Sequence, residues 1–187
     1  ELKNFNFIEP KNPNFDKYYE NLYFDFICSQ NLDFKTVCDI GCGIGLKLMN
    51  FKHLNKQIFG IEPSKNFSKA HKEYNLNVQQ GFINDLKESY DIIILSHVLE
   101  HLHNPSDVIK KISNTNTKYL FIEVPGIIKK IPSIQNAHNF YFSKNTLNSF
   151  VLSNGFNLID INHDKDYEFI FAIYKNTKNE KKYLYNF

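Results

Sequence analysis

The chain of 187 residues contains no arginine and no tryptophan, a single methionine and three cysteines. All 22 basic residues are lysines, set against 20 acids for a net charge of +2. Without the guanidinium fork that grips bases and phosphates in pairs, and with so little net charge, no nucleic-acid partner is expected. Cys28, Cys38 and Cys42 are odd in number and form no C-x-x-C pair, which argues against a disulfide framework and a structural zinc site; no metal centre is expected. The strongest apolar run, Ile92 to Leu95, is far too short to cross a bilayer, and no basic-then-apolar leader opens the chain. A reducing, cytoplasmic setting without membrane insertion is the expectation.

Aromatic residues are abundant, with 18 Phe and 11 Tyr in a composition that is 42% hydrophobic and 22% charged, as in soluble globular proteins. The length suits one domain spanning residues 1–187. From Thr36, short apolar segments alternate with helical patterns, predicting a doubly covered, mostly parallel sheet. Strands are predicted near Thr36–Ile40, Gln57–Ile61, Val78–Gln80, Asp91–Ser96, Tyr119–Val124, Phe156–Asn162 and Tyr167–Tyr174. Helices are predicted over Leu46–Leu54, Ser64–Tyr74, Pro105–Ser113 and Ser143–Asn154, the last closed by Gly155. An earlier helix over Asn14–Cys28 carries Phe15, Tyr18, Tyr19, Leu22 and Phe26 on one face, within an N-terminal helical segment (1–35) that precedes the core (36–175). His163 to Asp166 is too short for a crossover helix, so the last two strands form a hairpin and one strand in the edge region runs antiparallel.

The most informative stretch is Val37–Met49, VCDIGCGIGLKLM, which reads as a buried strand, a glycine turn and a helix whose first N–H groups aim into the same space. Gly41, Gly43 and Gly45 alternate, so backbone can approach a ligand closely. The next strand ends in Glu62, where such folds hold the two hydroxyls of a ribose. Dinucleotide-binding enzymes use G-x-G-x-x-G beside a pyrophosphate; here the spacing is G-x-G-x-G. Asp39 precedes the first glycine by two residues, a poor neighbour for a diphosphate and a good one for a cationic ligand.

The pattern Asp39, Gly41, Gly43, Gly45 resembles motif I, D-x-G-x-G-x-G, of the class I S-adenosylmethionine-dependent methyltransferases. The segment Asp91-Ile-Ile-Ile-Leu-Ser96-His97-Val-Leu-Glu100-His101 resembles the family's fourth strand and post-strand segment in small-molecule enzymes. The resemblance covers Thr36 to about Lys175 and implies a Rossmann-like α/β fold with a seven-stranded, mostly parallel sheet, helices on both faces and a final antiparallel strand. It implies S-adenosylmethionine as cofactor, with S-adenosylhomocysteine as product. Asp39 and the backbone of Gly41, Cys42, Gly43 and Gly45 would surround the methionine end, and Glu62 the ribose, with Pro63 and Ser64 flanking it. Ile83 and Asn84 would meet adenine, and Ser96 and His97 would pass beside the methyl group. Tyr18 and Tyr19 either close the site as a lid or pack as ordinary core.

For the acceptor, His53, His71 and His163 are expected in solvated helix or loop positions, leaving His97, His101, His103 and His138. Histidine suits a base near neutral pH, and His138 and His101 are the candidates, His138 slightly ahead; each alternatively only anchors its loop. Glu123 either orients a histidine or is an ordinary strand-end carboxylate. Family members that methylate amino groups of DNA carry Asp or Asn then Pro-Pro and an aromatic after the fourth strand, and cytosine C5 enzymes need Pro-Cys; this chain has neither. A small-molecule acceptor is expected, first a hydroxyl of a sugar or surface-glycan precursor, by resemblance to sugar-modifying members. An N-methyltransferase of a small metabolite and a noncatalytic cofactor-binding partner subunit stay open; an NAD-dependent oxidoreductase is disfavoured by the glycine spacing.

Overall fold

The computed structural model describes residues 22–65, 72–86, 89–127, 137–164 and 169–179. All seven predicted strands are present: β1 (Thr36–Ile40), β2 (Gln57–Glu62), β3 (Val78–Gln80), β4 (Ile92–Ser96), β5 (Tyr119–Pro125), β6 (Phe156–Asp164) and β7 (Phe169–Asn176). They form one sheet in the order β3-β2-β1-β4-β5-β7-β6. The pairings from β3 to β5 are all parallel, while β7 runs antiparallel to both β5 and β6. The antiparallel strand thus lies one place in from the edge, inserted between β5 and β6.

Successive strand residues face opposite ways, and that alternation splits the core in two. Cys38, Ile40, Ile93, Leu95, Leu120, Ile122 and Val124 join one cluster, covered by helices α3 (Pro105–Ser113) and α4 (Lys144–Leu152) through Ile109, Ile112, Leu147 and Val151. Val37, Ile92, Ile94, Phe121, Phe171 and Ile173 join the other. That face is covered by helix α1, described over residues 22–29, and by α2 (Leu46–His53), through Tyr23, Ile27, Leu48 and Phe51. Each core branch or ring taken fully out of water contributes about 1.5–3 kcal/mol.

The helix ends follow local chemistry. Pro105 occupies the first turn of α3, where its missing N–H costs nothing. Ser143 caps α4 by accepting from the Thr146 N–H at 3.2 Å. Two expectations shift. The buried stripe of α1 is Tyr23 and Ile27, both fully buried, with Leu22 and Phe26 only packed against its flank; Phe15, Tyr18 and Tyr19 lie outside the described residues, as do 66–71 of the helix expected after Glu62. His163, expected in a solvated loop, belongs to β6, which runs on to Asp164. Its ring occupies the space a Cβ on Gly126 would need, with Nε2 nearest to that point.

Candidate active site

The first turn follows β1 directly. Gly41, Gly43 and Gly45 have φ of 78°, 58° and 78°, conformations that side chains oppose. At Gly41 a Cβ would also lie 2.6 Å from Val98 Cγ2, so the turn lies against the segment after β4. The Gly41 N–H donates to the Ile61 carbonyl at 2.7 Å. Glu62, buried at the end of β2, accepts from the Gly43 N–H and the Ser64 N–H, each at 2.8 Å, one on each carboxylate oxygen. The acid that ends one strand therefore braces the glycine turn that ends its neighbour.

Strand parity brings a second group together. Asp39, Ser96 and Glu123 lie two residues beyond Val37, Ile94 and Phe121, and Ser96 stands in register with Glu123; all three therefore face α2. From α2, the Lys47 ammonium donates to Ser96 Oγ at 2.6 Å and to Glu123 Oε2 at 2.9 Å, and the Ser96 hydroxyl also donates to Glu123 Oε2. Tyr23 fixes this turn of α2 by donating to the Lys47 carbonyl at 2.7 Å. Glu123 is 1% exposed; burial alone would raise its pKa, but Lys47 and His97 outweigh it and hold the carboxyl well below the usual range. At Asp39 the balance goes the other way: burial, opposed by Lys47 and reinforced by Glu123 and Glu62, pushes it up to about 7. Its Oδ1 is buried without a hydrogen-bond partner.

His97 begins the third group, with φ of 54°, a conformation that costs a non-glycine residue about 1–3 kcal/mol and recurs at working sites. Its Nε2 lies 3.5 Å from Glu123 Oε1 and its Nδ1 3.3 Å from Glu100 Oε1. Burial disfavours the imidazolium, but Glu123 and the hydrogen bonds to Glu100 and Glu123 carry its pKa to about 9. Glu100 and His101 occupy a single 3₁₀ turn, Leu99–His101. His138 joins them from a distant segment, the centroid of its ring 4.8 Å from that of His101 in an edge-on arrangement. The two segments are tied by the Asn139 and Phe140 N–H groups, which donate to the Glu100 carbonyl at 2.8 and 3.2 Å. Burial lowers the His138 pKa, keeping the ring neutral at neutral pH.

A family model described as a methyltransferase domain matches residues 15–161. The chain belongs to that family. S-adenosylmethionine is the methyl donor the family uses. Comparison with curated protein sequences finds no match. Among solved structures, the chain is similar to magnesium protoporphyrin IX methyltransferase from Synechocystis PCC 6803 with bound S-adenosylhomocysteine, at 16% identity and TM-score 0.69 over 87% of this chain and 83% of that one. It is similar to an S-adenosylmethionine-dependent methyltransferase from Clostridium acetobutylicum ATCC 824, at 12% identity and TM-score 0.66 over 86% and 91%. It is also similar to the cyclase SpnF, at 12% identity and TM-score 0.71 over 86% and 81%. At these identities the likeness establishes the shared fold.

Within this methyltransferase domain, Asp39, the glycine turn, Glu62, Ser96 and His97 cluster at the carboxyl ends of β1, β2 and β4, where open α/β sheets bind ligands. Cys42 presents only its backbone there. Its Sγ is 2.6 Å from where a Cβ on Gly60 would stand, so the thiol packs onto β2 and burial raises its pKa. Ile83 is part of the core, whereas Asn84 is exposed and its carbonyl accepts from Lys111 Nζ at 2.9 Å. Beside them Phe82 is 52% exposed, an aromatic face free to stack. Lys47 and Glu100 were not singled out from sequence. Lys47 reads as a solvated residue of a helix's first turn, but Glu100 had a usable signal, its i,i+3 spacing from His97 and its place beside His101.

No helix among the described residues is long and apolar enough to cross a membrane.

Proposed function

We propose that this methyltransferase moves the methyl group of S-adenosylmethionine to a hydroxyl of a small molecule, with a sugar or surface-glycan precursor as the leading acceptor class. When bound, the cofactor supplies an electrophilic methyl on a positively charged sulfur. The residues present fit such a group: a buried carboxylate oxygen on Asp39 lacks any partner, and the neighbouring turn is stripped of side chains at alternate positions. Asp39 balances the cofactor's positive charge, the backbone of Gly41, Cys42 and Gly43 forms the wall, and Glu62 accepts from the ribose hydroxyls. Pro63 flanks the ribose, while Ile83 and Asn84 border the adenine and exposed Phe82 offers it a stacking surface.

The observation that carries the acceptor half is the His101–His138 pair, built from two chain segments beside buried Glu100. Displacement at the methyl carbon requires alignment and exclusion of water, and a hydroxyl acceptor also requires loss of its proton. A neutral His138 takes that proton, with His101 as its neighbour. Ile127, Phe140 and Tyr141, all exposed, offer faces on which a sugar ring can pack. Mass spectrometry of sugar and amine acceptors incubated with isotopically labelled S-adenosylmethionine tests this reading. Label on a sugar oxygen supports it; label confined to amines overturns the O-methylation half.

Two further results are expected. Glu62→Ala removes a charged acceptor from both ribose and turn, so affinity for S-adenosylhomocysteine falls by about 1–3 kcal/mol, the scale of charge-assisted hydrogen bonds; unchanged affinity by calorimetry rejects the ribose role. Burial pushes the Asp39 carboxyl up to about 7, and a cation beside it favours the carboxylate. Binding of S-adenosylmethionine below pH 7 therefore expels a proton, and affinity rises with pH until it levels off above about 7. Titrations in buffers of different ionisation enthalpy measure that proton, which Asp39→Asn abolishes.

A further inference from the structure

No metal-ligand spacing is visible in the sequence, yet Glu100, His101 and His138 each place one ligand atom so that all three lie within 4.8 Å of one another. We propose that these three side chains form a binding site for a divalent first-row transition-metal ion. Two independent features suit a cation at this place. Glu100 Oε2 and His138 Nδ1 are both buried with no hydrogen-bond partner, an arrangement that is costly for a carboxylate and an imidazole unless something positively charged lies between them. A purely structural cluster would pair these groups with each other or with backbone.

The second feature is the state of His101. Its Nδ1 lies 2.9 Å from the Ala137 carbonyl, which can only accept, so Nδ1 carries a proton and Nε2 is the nitrogen turned toward the cluster. That nitrogen lies on the side of Glu100, with Nε2 3.9 Å from Oε1. A backbone carbonyl fixing the tautomer of a ring whose other nitrogen points at a carboxylate is the arrangement of a ligating histidine. His97 Nδ1 holds Glu100 Oε1 from the other direction at 3.3 Å. Asn139 Nδ2 donates to the His101 carbonyl at 2.9 Å, so the segment carrying His138 is fastened to the turn carrying the other two ligands.

Two imidazoles and one carboxylate suit manganese, iron, cobalt or zinc better than calcium or magnesium. Ligand bonds of about 2.0–2.2 Å in tetrahedral geometry set the donors about 3.4 Å apart, so they must draw together by up to about 1.4 Å, within reach of side-chain adjustment. Three protein ligands leave positions for oxygen donors. An acceptor hydroxyl bound there would ionise near neutral pH and lose its proton to solvent, so that with an ion in place His138 acts as ligand in place of proton acceptor; this last step rests on the O-methylation reading, whereas ion binding does not.

The test uses the full chain, freed of metal by chelator, desalted, and titrated with CoCl₂, MnCl₂ or ZnCl₂. Plasma mass spectrometry is expected to find one ion per chain, and Co²⁺ to develop visible absorption of a nitrogen- and oxygen-ligated site. Glu100→Gln and His138→Ala should each weaken retention at least 10-fold while S-adenosylhomocysteine binding persists, and His53→Ala, on exposed α2 surface, should leave it unchanged. Absence of a stoichiometric ion, or equal retention by both ligand variants, overturns the site. An ion bound as described with no hydroxyl methylated defeats the functional reading alone; full methylation in the presence of chelator with no ion retained defeats the metal site alone.

Discussion

Replacing His138 by alanine is expected to lower kcat/KM for the acceptor by about 100-fold or more, the range lost when a positioned proton acceptor is removed, while affinity for S-adenosylhomocysteine stays as in the wild type. The separation follows from placement. The donor-side groups Asp39 and Glu62 end β1 and β2, while the His138 ring lies with its centroid 4.8 Å from that of His101, in the turn that follows β4. Its neutral state, favoured by burial, leaves it able to take a proton or to ligate an ion, and alanine removes both abilities. Steady-state kinetics with the acceptor identified by labelling, combined with calorimetry, checks it. Full activity in the variant removes His138 from the mechanism.

Glu123→Ala is expected to destabilise the fold by about 3 kcal/mol, the low end for breaking a buried ion pair. The low end applies because Lys47 is 20% exposed and can turn toward water, whereas Glu123 itself is 1% exposed. Its removal leaves the Ser96 hydroxyl and the His97 ring without their shared acceptor. The sign with pH follows from the depressed pKa. The folded carboxyl ionises below the unfolded value of about 4.3, so its stabilisation is present above that value and is lost as pH falls through the folded one. Urea unfolding at pH 7 should show a lower midpoint at unchanged slope, and the difference from wild type should shrink in acid. Equal midpoints at pH 7 contradict the role given to the Lys47–Glu123 pair.

Much of the scaffold was legible because period two is a local signal. The run Ile92 to Leu95 had to be a strand buried on both faces, and the observed clusters divide its residues alternately. The glycine turn and Glu62 were legible for a similar reason: each follows its strand directly. What sequence could not show is register between strands. Glu123 meets Ser96 because β5 lies beside β4 at that register, and Lys47 is drawn from apparent solvent exposure only because α2 lies over both. The ligand triad was hidden more deeply, since His138 is 37 residues beyond His101 and the two are joined by backbone hydrogen bonds from Asn139 and Phe140. His163 was misplaced because the length of β6 is set by its pairing with β7, not by turn residues in its own sequence. Cys42 lies in the predicted turn, but the direction of its side chain is decided by the space left at Gly60 on the neighbouring strand.

The measurement that bears most directly on the central claim is diffraction from crystals of the protein soaked in S-adenosylhomocysteine. The expected density lies across the carboxyl ends of β1 and β2, with the ribose hydroxyls on Glu62 and the amino-acid end beside Asp39 and the Gly41–Gly45 turn. Density lodged elsewhere, or none at saturating ligand, would contradict it.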